Sequence, residues 1–251
     1  MAAEDFPVVA SEVFPAAVAA LAVVVPQGGG RMKDLTQKLL SEEGRKQVAA
    51  AVGAAEKKTS GEIVCMIVPS SYHYPMSNII GATAIAMPLA LLLTPLIGAW
   101  LWIGTQNMWL FLGIFTVLFF LGYVFIRLTP SIKRWFVSQR EIDEEVEEAA
   151  VTNFFLRGLY RTRDRNGILL FISVFEHKVW VLADQGINEK VPEGHWDAIV
   201  ARLTEGLRRQ QAAGAICRAV NTIGEELKHF FPIKQDDTNE LQNLIIEDTQ
   251  P

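Results

Sequence analysis

Residues 59–75 read TSGEIVCMIVPSSYHYP, and the fold turns on how that stretch is taken. Its middle, EIVCMIV at 62–68, is an apolar run led by one acid. A short run that is apolar on both faces suits a strand internal to a parallel sheet. Upstream, residues 42–58 carry Val48, Val52 and Ala55 at helical spacing. Ser41 is placed to accept a free backbone N–H at the start of that helix. Downstream, the chain abandons the soluble pattern at once: residues 63–126 contain no Asp, Glu, Lys or Arg.

Two apolar runs, 78–103 and 108–126, fill most of that interval. At 1.5 Å per residue they reach roughly 39 Å and roughly 28 Å, against a bilayer core of about 30 Å. Neither keeps the polar face that a soluble helix needs, so both are read as membrane spans. The polar break between them is GTQN, 104–107, and Trp100, Trp102 and Trp109 cluster there as interfacial aromatics do. This turn has no Lys or Arg. Arg127, Lys133, Arg134 and Arg140 follow the second run, and Lys57 and Lys58 precede the first. The positive-inside rule then places both flanks and both termini in the cytoplasm, with the turn outside. The lipid bilayer is the first expected partner.

The remaining segments read as soluble structure. Residues 140–160 repeat Ile142, Val146, Ala149, Ala150, Asn153 and Phe154 at helical spacing, with the acids facing away. GILLFISVF and KVWVLAD, 167–175 and 178–184, form a hairpin signal joined at Glu176–His177. Helices are expected over 196–211 and 215–231, with Gly214 permitting the break. Residues 233–251 are polar and acidic and are read as a disordered tail, with LQNLII as a short docking segment. Residues 1–31 hold an apolar stretch without the basic n-region of a secretory signal, and are read as a disordered extension.

With the apolar hairpin set aside, the order is helix, strand, helix, strand, strand, helix, helix. Strand 62–68 and strand 167–175 are joined through helix 140–160, a βαβ crossover that makes them parallel neighbours. The expected class is therefore α/β, with a two-helix transmembrane hairpin inserted in a βαβ crossover. The divisions are 1–31, 32–76 (first part of the soluble domain), 77–127 (hairpin), 128–232 (second part) and 233–251.

The totals bound the function. The chain has 251 residues and a net charge of −5, which points to no nucleic-acid partner. Two cysteines, Cys65 and Cys217, make neither a disulfide framework nor a metal spacing. No phosphate loop, metal-hydrolase motif or nucleophile elbow is present. One cluster follows from strand polarity: Glu62, Asp164, Asn166 and Asp184 all come to the same sheet edge. Hard oxygen ligands of this kind suit Ca²⁺ or Mg²⁺. The alternative is that Asp164 and Asn166 build a turn and Asp184 caps an element.

TSGEIVCMIV, then NFFLRGLYRTRDRNGILLFISVFEHKVWVLADQGI, then WDAIVARLTEGLRR resemble the TPM domain family. Its members include thylakoid-lumen proteins of photosystem II repair and bacterial membrane-anchored proteins. The resemblance covers about 40–75 and 137–231, and its most specific piece is the turn Asp164–Gly167 with Asp184–Ile187. It implies an α/β sandwich, and for some plant members acid phosphatase activity and divalent-cation binding. Asp184 stands where the family commonly reads the first glycine of a Gly-x-Gly. The expected function is a non-catalytic binding, assembly or quality-control module at a bacterial inner (cytoplasmic) membrane, acting on a membrane or cytoplasmic protein partner. The alternative is a metal-assisted acid phosphatase.

Overall fold

The computed structural model describes residues 33–192, 194–233 and 241–247. The extension 1–31 and most of the tail lie outside these residues. The chain divides into two compact units, one built from 32–72 with 142–251 and the other holding 73–141.

In the first unit, α1 (Lys33–Leu39) leads into α2 (Glu42–Glu56), which Ser41 caps by accepting the Gly44 N–H at 3.2 Å. Strand β1 (Glu62–Val68) is buried along its whole length, as its composition requires. Helix α6 (Gln139–Leu156), β2 (Gly167–Ser173), β3 (Lys178–Ala183), the short α7 (Gln185–Asn188), α8 (Asp197–Arg208), α9 (Ala212–Phe230) and β4 (Leu244–Ile246) follow. The sheet order is β3-β2-β1-β4. β1 pairs parallel with β2, from Glu62 opposite Gly167 to Val68 opposite Ser173, and β2 pairs antiparallel with β3.

Alternation along the strands sends Ile63, Cys65, Ile67, Ile168, Leu170, Ile172, Val179 and Val181 to one face, where α2, α8 and α9 complete the core. The other face carries Met66, Phe171 and Trp180, all buried. Two ion pairs place α6 across this second face. Asp143 near its start meets Lys178 of β3 at 2.6 Å, and Arg157 just past its end meets Glu247 beside β4 at 2.6 Å. The stripe Ile142, Val146, Ala150 and Phe154 is fully buried.

Two sequence expectations change here. The segment LQNLII lies in the expected tail, yet Leu244–Ile246 forms a parallel edge strand on β1, with Cys65 opposite Leu244. The break between the last helices falls at Arg209–Gln211, where Gln210 takes φ +59°, and Gly214 sits inside α9.

The second unit holds α3 (Pro75–Trp100) and α4 (Met108–Leu128), joined by a turn in which Asn107 Oδ1 accepts the N–H groups of Trp109 and Leu110. Both helices are long and apolar enough to cross a membrane. Residues Asn78, Ala82, Ala86, Ala90, Thr94 and Gly98 make a four-residue repeat of buried positions on α3. The α-carbon of Ala82 comes 3.5 Å from where a Gly122 Cβ would stand, so small residues let the backbones approach closely. Bulky side chains point outward: Leu92 is 64% exposed and Phe120 63%. A short helix, α5 (Pro130–Lys133), and a 3₁₀ turn, Arg134–Phe136, follow.

Candidate functional site at the strand edge

The register brings the predicted residues to one edge, as strand polarity requires. Glu62 lies opposite Gly167, and the Asp184 N–H donates to the Gly167 carbonyl at 2.9 Å. The turn before β2 is held by its own side chains. Asn166 Nδ2 donates to the Ser60 carbonyl at 2.6 Å, its carbonyl accepts the Glu62 N–H at 3.2 Å, and its N–H donates to Thr162 Oγ1 at 3.1 Å. Arg165 takes φ +53° to close that turn. Gly186 packs directly on it, since a Cβ there would stand 2.6 Å and 2.7 Å from the Arg165 and Asp164 carbonyl oxygens. The DQG sequence after β3 and the DRNG turn before β2 are thus two halves of one contact.

Asp184 is fully buried. Its Oδ1 caps α7 by accepting the Gln185 N–H at 2.8 Å, and Arg165 Nη1 approaches to 3.9 Å. Its Oδ2 is buried with no hydrogen-bond partner among the described residues. Burial pushes the Asp184 carboxyl above its ordinary value, against the opposing pulls of the Gln185 N–H and the Arg165 guanidinium.

Glu62 and Asp184 reach the same edge but stand two strands apart, about 10 Å at the usual strand spacing. Gly167 lies between them, and the Leu159 carbonyl oxygen sits 2.5 Å from where its Cβ would be. That backbone fills the space over the middle strand. Asp164 is half-exposed in the turn. Among the described residues no three His, Cys, Asp or Glu side chains gather around one point. The structure therefore joins Asn166 to Glu62 through the backbone and seats Gly186, beside Asp184, on the Asp164 and Arg165 carbonyls, with Glu62 and Asp184 separated by the middle strand.

A second buried polar cluster escaped the sequence reading, at the opposite end of the same strands. Glu176, fully buried in the β2–β3 turn, accepts at Oε1 from Ser70 Oγ and the Ser71 N–H, both at 2.9 Å. Its Oε2 accepts from Ser173 Oγ, which in turn meets Ser71 Oγ at 3.1 Å. The available signal was the register, since pairing Glu62 with Gly167 carries Ser70 and Ser71 to the level of this turn.

The thiols are free, with Cys65 buried in the core. Burial pushes the Cys65 thiol up to about 12, so it is inert at neutral pH. Of the histidines, His195 pairs with Glu226 at 3.3 Å and His177 occupies a left-handed turn position at φ +57°.

No curated protein matches the chain. Among solved structures it is similar to the BA42 protein of the psychrophilic bacterium Bizionia argentinensis, determined by NMR. The two share 17% sequence identity over 83% of this chain and 95% of that one, with a TM-score of 0.51, a likeness of fold. The TPM domain family matches residues 129–226, which hold α6, β2, β3, α8 and most of α9. The DRNG–DQG contact at the sheet edge lies within this match, and residues 129–226 carry a TPM domain.

Proposed function

We propose that this chain is a membrane-anchored TPM-domain protein: an α/β sandwich with a transmembrane hairpin inserted in its βαβ crossover. Its role is to bind partner proteins, in assembly or quality control, at a bacterial inner membrane. One observation carries the anchoring. Small residues face inward between α3 and α4 while Leu92, Leu96, Phe120 and Leu121 face out. Water disfavours that arrangement and lipid favours it. The cations after α4 and the cation-free turn support an orientation with both termini in the cytoplasm. In a Cys217→Ser background, which leaves only the inert Cys65, a cysteine at Thr105 is expected to label fully with an impermeant maleimide in intact cells. One at Ser138 is expected to label only after lysis, a contrast of about tenfold or more. The reverse pattern overturns the topology, and release of the chain by alkaline carbonate overturns the anchoring.

The metal-assisted acid phosphatase is the second reading, and the buried Oδ2 of Asp184 favours it. An oxygen lacking a donor is open to a divalent cation, with the nearby carbonyls of Asp164 and Arg165 as further hard ligands. The ion would supply charge neutralisation for a phosphoryl oxygen, while the chain holds the edge rigid through Asn166 and Gly186. The raised carboxyl makes this testable. Because the folded chain keeps the Asp184 proton above the ordinary value of 3.8, stability from this group is full below that value. It falls as pH rises through the window up to the raised value. Asp184→Asn is expected to abolish that slope while changing stability by about 1 kcal/mol, because Asn keeps the cap. Thermal unfolding in detergent with millimolar Ca²⁺ or Mg²⁺ against chelator separates the readings. An ion site adds about 2–3 kcal/mol at a hundredfold excess over Kd, lost in Asp184→Asn together with hydrolysis of p-nitrophenyl phosphate. No shift with either ion leaves the binding module.

A further inference from the structure

The two ends of the helical hairpin differ in chemistry. At the turn, Trp100, Trp102 and Trp109 are exposed, with no Lys or Arg from 63 to 126. At the other end, Arg127, Lys133, Arg134 and Arg140 fall within fourteen residues, and no Asp or Glu occurs between Glu62 and Glu141.

The segment carrying these cations is pinned. Lys133 is buried, and its Nζ donates to the His73 carbonyl oxygen where the chain starts toward α3. The Phe136 ring lies against Gly81 of α3, 2.7 Å from where a Cβ would stand. With those two side chains turned inward, Trp135 between them is turned out and is 85% exposed. Arg127, in the last turn of α4, and Arg140 are exposed as well. An indole held outward among cations, directly after an apolar helix, has the form of a headgroup contact: the ring takes the glycerol level and the guanidinium groups take phosphate.

We propose that this end of the hairpin is a docking surface for anionic phospholipid headgroups in the leaflet on the side of the termini. The inference rests on the membrane-anchored reading above and adds to it a lipid preference. Positive-inside orientation needs only charge during insertion. A pinned segment presenting Trp135 amid cations persists in the folded protein and selects among lipids. Each basic residue near an anionic surface is worth about fivefold in partitioning, and salt screens that attraction.

The test uses the full chain in detergent with an equimolar mixture of phosphatidylglycerol and phosphatidylcholine, the retained lipids being counted by native mass spectrometry. Phosphatidylglycerol is expected to be enriched about tenfold or more at 0.1 M salt. Enrichment should fall at least fivefold in Arg127→Gln/Arg134→Gln/Arg140→Gln, and Trp135→Ala should reduce it too. If the triple variant does not fold, the wild type in 1 M salt gives the same reading, since screening removes the preference without a substitution. Equal retention of the two lipids overturns the proposal, as does enrichment indifferent to salt. Loss of lipid enrichment in 10 mM inorganic phosphate also overturns it, because the ligand is then a free anion. Failure of the anchoring reading is a separate event: the chain would leave the membrane in carbonate.

Discussion

Replacing Glu176 by alanine is expected to cost the first unit about 3 kcal/mol. The side chain has no access to solvent. Its two oxygens take three donors, Ser70 Oγ, the Ser71 N–H and Ser173 Oγ. Each buried donor left without an acceptor costs about 1–3 kcal/mol, and alanine strands the Ser71 N–H, leaves Ser70 Oγ only the Tyr72 carbonyl at 2.7 Å and Ser173 Oγ only Ser71 Oγ, and opens a cavity that water reaches poorly. The loss matters beyond its size. These donors lie where β1 ends and the chain turns away toward α3, so the carboxylate ties that exit to the β2–β3 turn. Backbone bonds from Val174 and Phe175 to the Val68 and Pro69 carbonyls complete the tie. Glu176→Gln should cost less than about 1 kcal/mol. Its amide oxygen serves Ser70 and Ser71, its NH₂ donates to Ser173 Oγ, and the Ser173 hydroxyl turns round to donate to Ser71 Oγ. Thermal unfolding in detergent, followed by near-ultraviolet circular dichroism, reads the difference. Alanine should melt about 6–12 °C below wild type. Equal losses for the two variants would show that bulk rather than hydrogen bonding matters at this position.

The second large effect is expected at Phe154. It is among the largest fully buried side chains and closes the inward stripe of α6. Phe154→Ala should cost about 3–5 kcal/mol, transfer of the ring plus the cavity it leaves. Phe155 is the internal control. Its ring meets Phe154 edge to face, 5.8 Å between centroids at 83°, yet it is 44% exposed. Phe155→Ala should cost about 1 kcal/mol, a residual of partial burial and the aromatic pair. Two adjacent phenylalanines with effects this different would locate the inner face of α6 from stability data alone. Similar losses at both positions would mean that α6 buries a different side.

Much of the fold was legible because the deciding forces are local. Strand β1 runs over the residues the apolar run marks, since six successive apolar residues after Glu62 have few other places to go. The helices α3 and α4 follow from the lack of any charge over 63–126, and α6 from its four-residue repeat. The parallel pairing of β1 and β2 follows from chain connectivity, because a helical crossover leaves little choice of direction. The candidate edge was legible to the same depth. Strand polarity alone brings Glu62, Asn166 and Asp184 to it.

What each side chain does at that edge is a tertiary matter. The Asp184 carboxyl caps α7, and Gly186 lets that turn sit on the Asp164 and Arg165 carbonyls, a contact between segments far apart in the sequence. Glu62 is kept from Asp184 by the Leu159 backbone over Gly167, which no periodicity encodes. Strand β4 was invisible for a similar reason. LQNLII, with only three consecutive apolar residues in a polar tail, reads as a docking segment, and it becomes a strand only because β1 offers an open parallel edge. The Glu176 cluster likewise exists only once the register is set. Apolar pattern and charge are carried by the residues themselves and act wherever the chain goes. Hydrogen-bond partners and edge pairing depend on what lies across the sheet, so they belong to the folded structure.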